Sequence, residues 1–231
     1  MRTAAEWLHD ALGYECQDAS LLEAALTHRS AGGSHNERLE FLGDAVLNCV
    51  AAVLVFREFA GADEGELSRF RASLVSGETL AAIAADIDLG SHVRLGSGEL
   101  KSGGFRRKSI LADALEALFG AIYLDGGYAA ATTVVERLLA TRLDKLPSAA
   151  ELKDPKTRLQ ETLQARGLPL PVYAVESISG EAHNQLFSVY CVVDMLGLKT
   201  LGSGASRRRA EQAAAQLLLD ELGRSGKGIS D

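Results

Sequence analysis

Cysteine is scarce in this chain: three residues in 231, Cys16, Cys49 and Cys191, each in an unrelated segment. No two have the spacing of a zinc site, and His28 and His35 lack metal-ligand spacing too. That excludes a sulfur–nitrogen metal centre and leads us to expect buried thiols in a reducing, cytoplasmic setting. Long apolar runs are also missing, because every such stretch is broken by Arg, Glu or Asp, so no membrane span or membrane partner is expected. From Met1 to Glu6 the chain runs straight into an amphipathic segment, without the apolar core of a secretion signal. Repeats and low-complexity tracts are absent. A basic surplus is missing as well: 24 Lys and Arg stand against 31 Asp and Glu, a net charge of −7. With 47% hydrophobic and 24% charged residues, the composition is that of a soluble globular protein of one large or two modest domains.

The charge deficit is uneven. Residues 1–150 hold 14 basic and 21 acidic residues, whereas residues 151–231 hold ten of each. A polyanion responds to where cations cluster, so the total does not exclude a nucleic-acid partner.

What is present is organised around Asn36-Glu37-Arg38-Leu39-Glu40-Phe41-Leu42-Gly43-Asp44. On a helix, Glu37, Glu40 and Asp44 fall within roughly 60° of one another. The remaining circumference is apolar (Leu39, Leu42, Val46, Leu47, Val50, Val53, Leu54), which predicts a helix inside a domain. Like charges at this spacing repel, and a buried carboxylate without a partner is costly, so a cation is required against the stripe. A second acid pair, Asp113 and Glu116, lies on another helix, opposite Leu111, Leu115, Leu118 and Ile122. Ala117 and Gly120 flank it with almost no bulk, which allows close helix approach. Two acid pairs with no Lys or Arg on their faces make an all-oxygen cage, the preference of Mg²⁺.

The periodicity predicts helices over 4–13, 18–28 with Asp18 as N-cap, 36–59, and one from Glu64 through Arg69, Leu74 and Leu80 toward Ala85. Residues 86–108 read as irregular. Ser109 is expected to cap the second acid helix, which stops at Gly126-Gly127, and a further helix spans 128–145 with Val134, Val135, Leu138, Leu139 and Leu143 buried. Nothing before residue 147 reads as strand, so the first domain, 1–147, is expected to be all-α.

A polar hinge, with a linker over 148–154, precedes a change of pattern. Asp154-Pro155 opens a helix closed by Gly167, followed by alternating runs at Val172–Ile178, Leu186–Met195 and Leu198–Leu201, with turns at Gly180 and Gly197. A last helix, about Ser206 to Leu222, is expected to bury Ala210, Ala213, Ala214, Leu217 and Leu218. The order over 155–224 is α-β-β-β-α, an α+β domain. Arg207, Arg208 and Arg209 in the first turn of that helix oppose its macrodipole, and the free N–H groups after Gly202 and Gly204 suit an anion. That combination makes sense if phosphates dock there. Thr157, Gln160, Glu161 and Gln164 share one face of the preceding helix and suit the 2′-hydroxyls of an RNA minor groove, with His183 placed to reach a second one. Taken singly, each of these features also reads as a solvated surface.

Together these elements resemble the double-stranded RNA-binding domain, in the α-β-β-β-α order, Gly180-Glu-Ala-His183, and Ser206-Arg-Arg-Arg-Ala210 before an Ala-rich helix. With that module behind it, Asn36–Asp44 resembles the signature of bacterial ribonuclease III. Asp63–Leu67, Gly98–Arg107, Ile110–Leu118 and Lys153–Gln160 are similar to the same family, so the likeness spans nearly the whole chain. The resemblance implies a homodimeric endoribonuclease that cuts both strands of duplex RNA, leaving 5′-phosphates, 3′-hydroxyls and short 3′ overhangs, chiefly in rRNA precursors and structured mRNA. It implies Mg²⁺, with Mn²⁺ expected to substitute, on Glu40, Asp44, Asp113 and Glu116, of which Asp44 and Glu116 are the most critical for cleavage. Glu37 and Glu64 match accessory acids, and Phe41 matches the aromatic residue that enters a socket on the partner subunit. Arg106 and Arg107 are expected to line the RNA channel, or else to sit in a solvated loop.

Two other functions fit part of the chain. An all-helical Mg²⁺-dependent nucleotide pyrophosphatase accounts for 36–120 but leaves 155–222 without purpose. A non-cleaving double-stranded RNA-binding protein needs the second domain but not four intact acids.

Overall fold

The computed structural model describes residues 3–181 and 184–225. The chain divides into two compact units, 1–149 and 150–231. In the first, α1 (Ala4–Leu12) and α2 (Ala19–Ala25) lead to the central helix α3 (Glu37–Glu58), followed by α4 (Glu64–Leu74), α5 (Gly77–Asp86), the short α6 (Ser97–Lys101) and the long α7 (Lys108–Leu143). One parallel bridge, Thr27 to Arg94, is the only β-pairing among the described residues of this unit.

The helix ends follow local chemistry. Thr3 with Glu6, and Asp63 with Glu66, form reciprocal capping boxes that satisfy N–H groups at the starts of α1 and α4. The helix expected from Glu64 to Ala85 is in fact two. Ser76 leaves helical geometry (ψ 145°) and its Oγ accepts from Thr79 N at 3.2 Å, restarting the chain as α5. Nor does Ser109 cap α7, which begins at Lys108 with Arg107 in the N-cap position and no side-chain cap. At Gly127 the backbone turns to φ 76°, a geometry that favours glycine, so α7 is two helical segments joined at a kink.

The core of this unit is the crossing of α3 and α7. A Cβ on Gly43 would lie 1.7 Å from the carbonyl oxygen of Glu116, and one on Gly120 2.2 Å from that of Leu39. The backbones touch there because neither residue has a side chain. Leu39, Leu47 and Val50 of α3 pack with Leu115, Leu118 and Ile122 of α7 into one buried cluster. By length and composition alone, α3 and α7 are each apolar enough to cross a membrane, contrary to expectation. Part of that apolar surface instead packs against protein, with 39% of the apolar stretch of α3 and 44% of that of α7 buried. Phe41 and Phe56 on α3 are 81% and 70% exposed, so α3 is not buried all round. The thiols also differ from expectation, since only Cys191 is buried, while Cys16 is half-buried and Cys49 exposed.

The second unit begins with α8 (Pro155–Ala165), capped by Asp154, whose carboxylate accepts from Lys156 N at 2.8 Å. Strands β1 (Val172–Ser179), β2 (Leu186–Val193) and β3 (Leu198–Gly204) form an antiparallel sheet in that order, and α9 (Arg207–Ser225) covers it. The third strand runs to Gly204, beyond the expected Leu201. The buried face of α9 is turned from the expected one: Glu211, Ala214, Ala215, Leu218 and Leu222 are buried beside Ala210, whereas Leu217 is 47% exposed and Ala213 half-buried. Gly202 explains the rotation. A Cβ there would lie 2.1 Å from Ala214 N, so the helix seats against bare strand backbone, and Thr200 Oγ1 donates to Ala214 O at 2.7 Å.

Candidate metal centre and nucleic-acid surface

The crossing at Gly43 and Gly120 brings the acid pairs together. Glu40, on the N-terminal half of α3, faces Asp113 and Glu116 on α7, and one carboxylate oxygen from each lies within 4.8 Å of the others. Among the described residues no other three His, Cys, Asp or Glu side chains gather this closely. Asp44 stands one turn further along α3, exposed, with Oδ1 accepting from Asn48 Nδ2 at 2.8 Å, so the close group is three acids and not four.

The electrostatics are those of crowded carboxylates whose burial and mutual repulsion outweigh the pull of nearby cations. Burial, then the carboxylates of Asp44, Glu40 and Asp113, push Glu116 up to about 7. Burial and the neighbouring Asp113 and Glu37 raise Glu40; burial raises Asp113 against the pull of His28 and Arg29. Opening beside them is a cavity of ≈ 590 Å³ lined by Glu37, Glu40 and Asp113 with Arg29, Arg107 and Ser109. Its two arginines are already engaged. Arg29 Nη1 lies 3.1 Å from Glu37 Oε1, and Arg107 Nη1 lies 3.1 Å from Glu99 Oε2. Arg29 comes from a short 3-10 turn, Arg29–Ala31, rather than either acid helix, which is why the sequence read Glu37 as lacking a cation. Three oxygen ligands, crowded and without a neutralising Lys or Arg, fit a small hard divalent ion.

Glu64 is not brought to this group. It starts α4, accepts from Ser68 Oγ at 3.1 Å, and borders a different cavity with Ala52, Phe56, Leu67 and Arg71. Phe41 projects from α3 at the edge of a third cavity, ≈ 730 Å³, whose lining includes Leu21, Ala24, Leu39, Leu42 and Leu124.

In the second unit Thr157, Gln160, Glu161 and Gln164 are all exposed on α8, with Leu159 and Leu163 buried on its other side. Glu161 is tied to Lys153 Nζ at 2.5 Å. Arg207, Arg208 and Arg209 are exposed in the first turn of α9. Arg207 Nε donates to Glu211 Oε1 at 2.9 Å, and Arg208 Nη2 lies 3.8 Å from Asp154 Oδ2. Arg106 sits over the Phe105 ring at 5.0 Å. His183 lies outside the described residues. Lys156, which the sequence did not single out, belongs to the same surface, with Nζ 2.5 Å from Glu211 Oε2 and 4.4 Å from the centre of the Tyr173 ring. The available signal was its place two residues after the Asp154 cap, beside the α8 face already chosen.

A helical carboxylate centre followed by an α-β-β-β-α module fits a metal-dependent nuclease with a duplex-RNA reader. The comparisons agree. Residues 18–143 match the family model described as Ribonuclease-III-like, and residues 155–222 match the double-stranded RNA binding motif. Ribonuclease 3 of Aromatoleum aromaticum is 54% identical over 215 residues, covering 93% of this chain and 96% of the relative. Ribonuclease 3 of Vibrio cholerae is 55% identical over 211 residues, covering 91% and 94%. The solved nuclease domain of ribonuclease III from Campylobacter jejuni, described for flexibility in a region involved in dimer formation, superposes with a TM-score of 0.58 at 45% identity, covering 59% of this chain and 96% of that one.

The chain belongs to the ribonuclease III family. It is an endoribonuclease of a metal-dependent family, joined to a domain that binds double-stranded RNA. The pyrophosphatase and non-cleaving readings give way to this one.

Proposed function

We propose that the protein is a Mg²⁺-dependent endonuclease that hydrolyses both strands of duplex RNA to 5′-phosphate and 3′-hydroxyl ends with short 3′ overhangs. The observation that carries this is the convergence of Glu40, Asp113 and Glu116 across the Gly43–Gly120 crossing. With Asp44 turned from Asn48, these acids would hold the ion. When bound, Mg²⁺ supplies an activated water and charge stabilisation at the entering and leaving oxygens of an in-line displacement. Glu116, pushed up to about 7 in the metal-free fold, would hold the ion as its ionised carboxylate. Glu37 and Arg29, already paired, border the cavity where a backbone phosphate would lie, and Arg107 extends the basic margin; Arg106, outside that lining, is assigned to the RNA channel beyond it. Glu64 is assigned an accessory role along the substrate path rather than in the metal shell.

The exposed Phe41 and the apolar cavity beside it support a homodimer in which each Phe41 enters the other subunit's cavity. Its natural substrates are assigned as rRNA precursors and structured mRNA in the cytoplasm, with Mn²⁺ able to replace Mg²⁺.

Asp44→Ala and Glu116→Ala test the centre. Each is expected to lower cleavage of a model duplex by about 10³-fold or more while duplex binding in Ca²⁺ is retained. Near-parental cleavage by either variant defeats the assignment. Phe41→Ala is expected to shift sedimentation from dimer toward monomer, and an unchanged dimer removes Phe41 from the interface.

A further inference from the structure

Among the described residues of the whole chain, Glu211 is the one charged side chain that is buried, at 9% exposure. Burying a carboxylate is costly, and a buried ion pair adds little stability over an apolar residue of similar size, so its place calls for another explanation. Its two oxygens are divided between two cations on two helices: Oε1 accepts from Arg207 Nε on α9 at 2.9 Å, and Oε2 from Lys156 Nζ on α8 at 2.5 Å. Burial alone raises its carboxyl, but the hydrogen bonds from Lys156 and Arg207 outweigh it and hold the group below its ordinary value.

We propose that Glu211 is a positioning residue for RNA binding, orienting the Arg207 guanidinium and the Lys156 ammonium so that a duplex-RNA phosphate meets a preset fork. This rests on the reading that the second unit binds duplex RNA through the first turn of α9. The geometry decides which donors remain. Because Arg207 is held through Nε, its Nη1 and Nη2 stay available at a side chain that is 63% exposed, and that end of a guanidinium matches two phosphate oxygens at once. Lys156 is fixed twice, by Glu211 and by the face of Tyr173, and cannot swing away into water without losing both. Long basic side chains normally lose rotamer freedom on binding a phosphate; here that ordering has happened within the protein.

A rival explanation gives the opposite sign. If Glu211 merely neutralises the basic corner, removing its charge strengthens binding to a polyanion. Glu211→Gln in the full chain separates the two, because it keeps the shape and one acceptor while removing the charge that clamps both cations. Duplex RNA affinity is measured in Ca²⁺ over a range of salt concentrations. The expected result is binding about tenfold weaker, with the salt slope shallower by about one, despite the added positive charge. Binding as tight as the parent's or tighter, with an equal or steeper slope, overturns the proposal. Should Glu211→Gln unfold the second unit, Arg207→Lys takes its place. It keeps the charge but has neither Nε nor the fork; loss equal to that of Arg207→Ala supports the proposal and parental affinity overturns it. If the parent itself fails to bind duplex RNA, the underlying reading has failed instead, and the two failures are thus distinguishable.

Discussion

Glu116 and Glu211 are the same residue type, each set back from solvent, in opposite electrical surroundings. Glu116 is surrounded by Asp44, Glu40 and Asp113 and is pushed up to about 7. Glu211 is held by Lys156 and Arg207 and lies below its ordinary value. An acid that the protein declines to neutralise is built for a cation from outside. An acid fully engaged by the protein's own cations instead fixes where those cations point.

Gly43→Ala would break the first half of this contrast most severely. Its methyl would meet the Glu116 carbonyl at 1.7 Å, forcing α3 and α7 apart, at a cost of about 3 kcal/mol or more in denaturant unfolding together with loss of cleavage. Gly77→Ala, in the same unit, where nothing lies within 4 Å of the added Cβ, is the control and is expected to be neutral to slightly stabilising.

A smaller effect sharpens the contrast through pH. Glu116 has a raised value in the fold, so its contribution to metal-free stability is fully present below about 4.5 and is lost as pH rises through about 7. On the proposed function Mg²⁺ is expected to reverse this by favouring the ionised form, and at 100 times its dissociation constant to stabilise the first unit by about 2.7 kcal/mol. Glu211 has the opposite sign: its lowered value stabilises the second unit above about 4.5, and that stability fades as pH falls through the folded value. Calorimetry with chelator and then with Mg²⁺ checks both when the range runs from about pH 3 to 7.5, the second unit responding below about 4.5 and the first above it. Glu116→Gln is expected to flatten the pH response of the first unit, and Glu211→Gln, by a lesser amount, that of the second. Similar responses in both units would dissolve the contrast.

Much of the fold was legible because its signals are local. Asp154-Pro155, Gly167, Gly180 and Gly197 punctuate the second unit at the places where its helix and strands end. The break at Ser76 was hidden because apolar residues on both sides keep a helical spacing, and only a single hydroxyl cap interrupts it. The face of α9 was misplaced by the stripe from Ala210 to Leu218, because Gly202, on a different element, sets which side of the helix can approach the sheet. At the site, the spacing of each acid pair was readable, but the Arg29 partner of Glu37, the separation of Glu64 and the clamp on Arg207 all depend on other segments of the chain.

Sequence by itself determined that Glu37, Glu40 and Asp44 lie along one helix and Asp113 and Glu116 along another, since 3.6 residues per turn fixes those neighbours. Only the tertiary structure decided that Glu40, Asp113 and Glu116 meet, with Asp44 near enough to push Glu116 up but outside their 4.8 Å group. That choice is made where α3 and α7 touch, by the two missing side chains at Gly43 and Gly120, and no periodicity within either helix contains it.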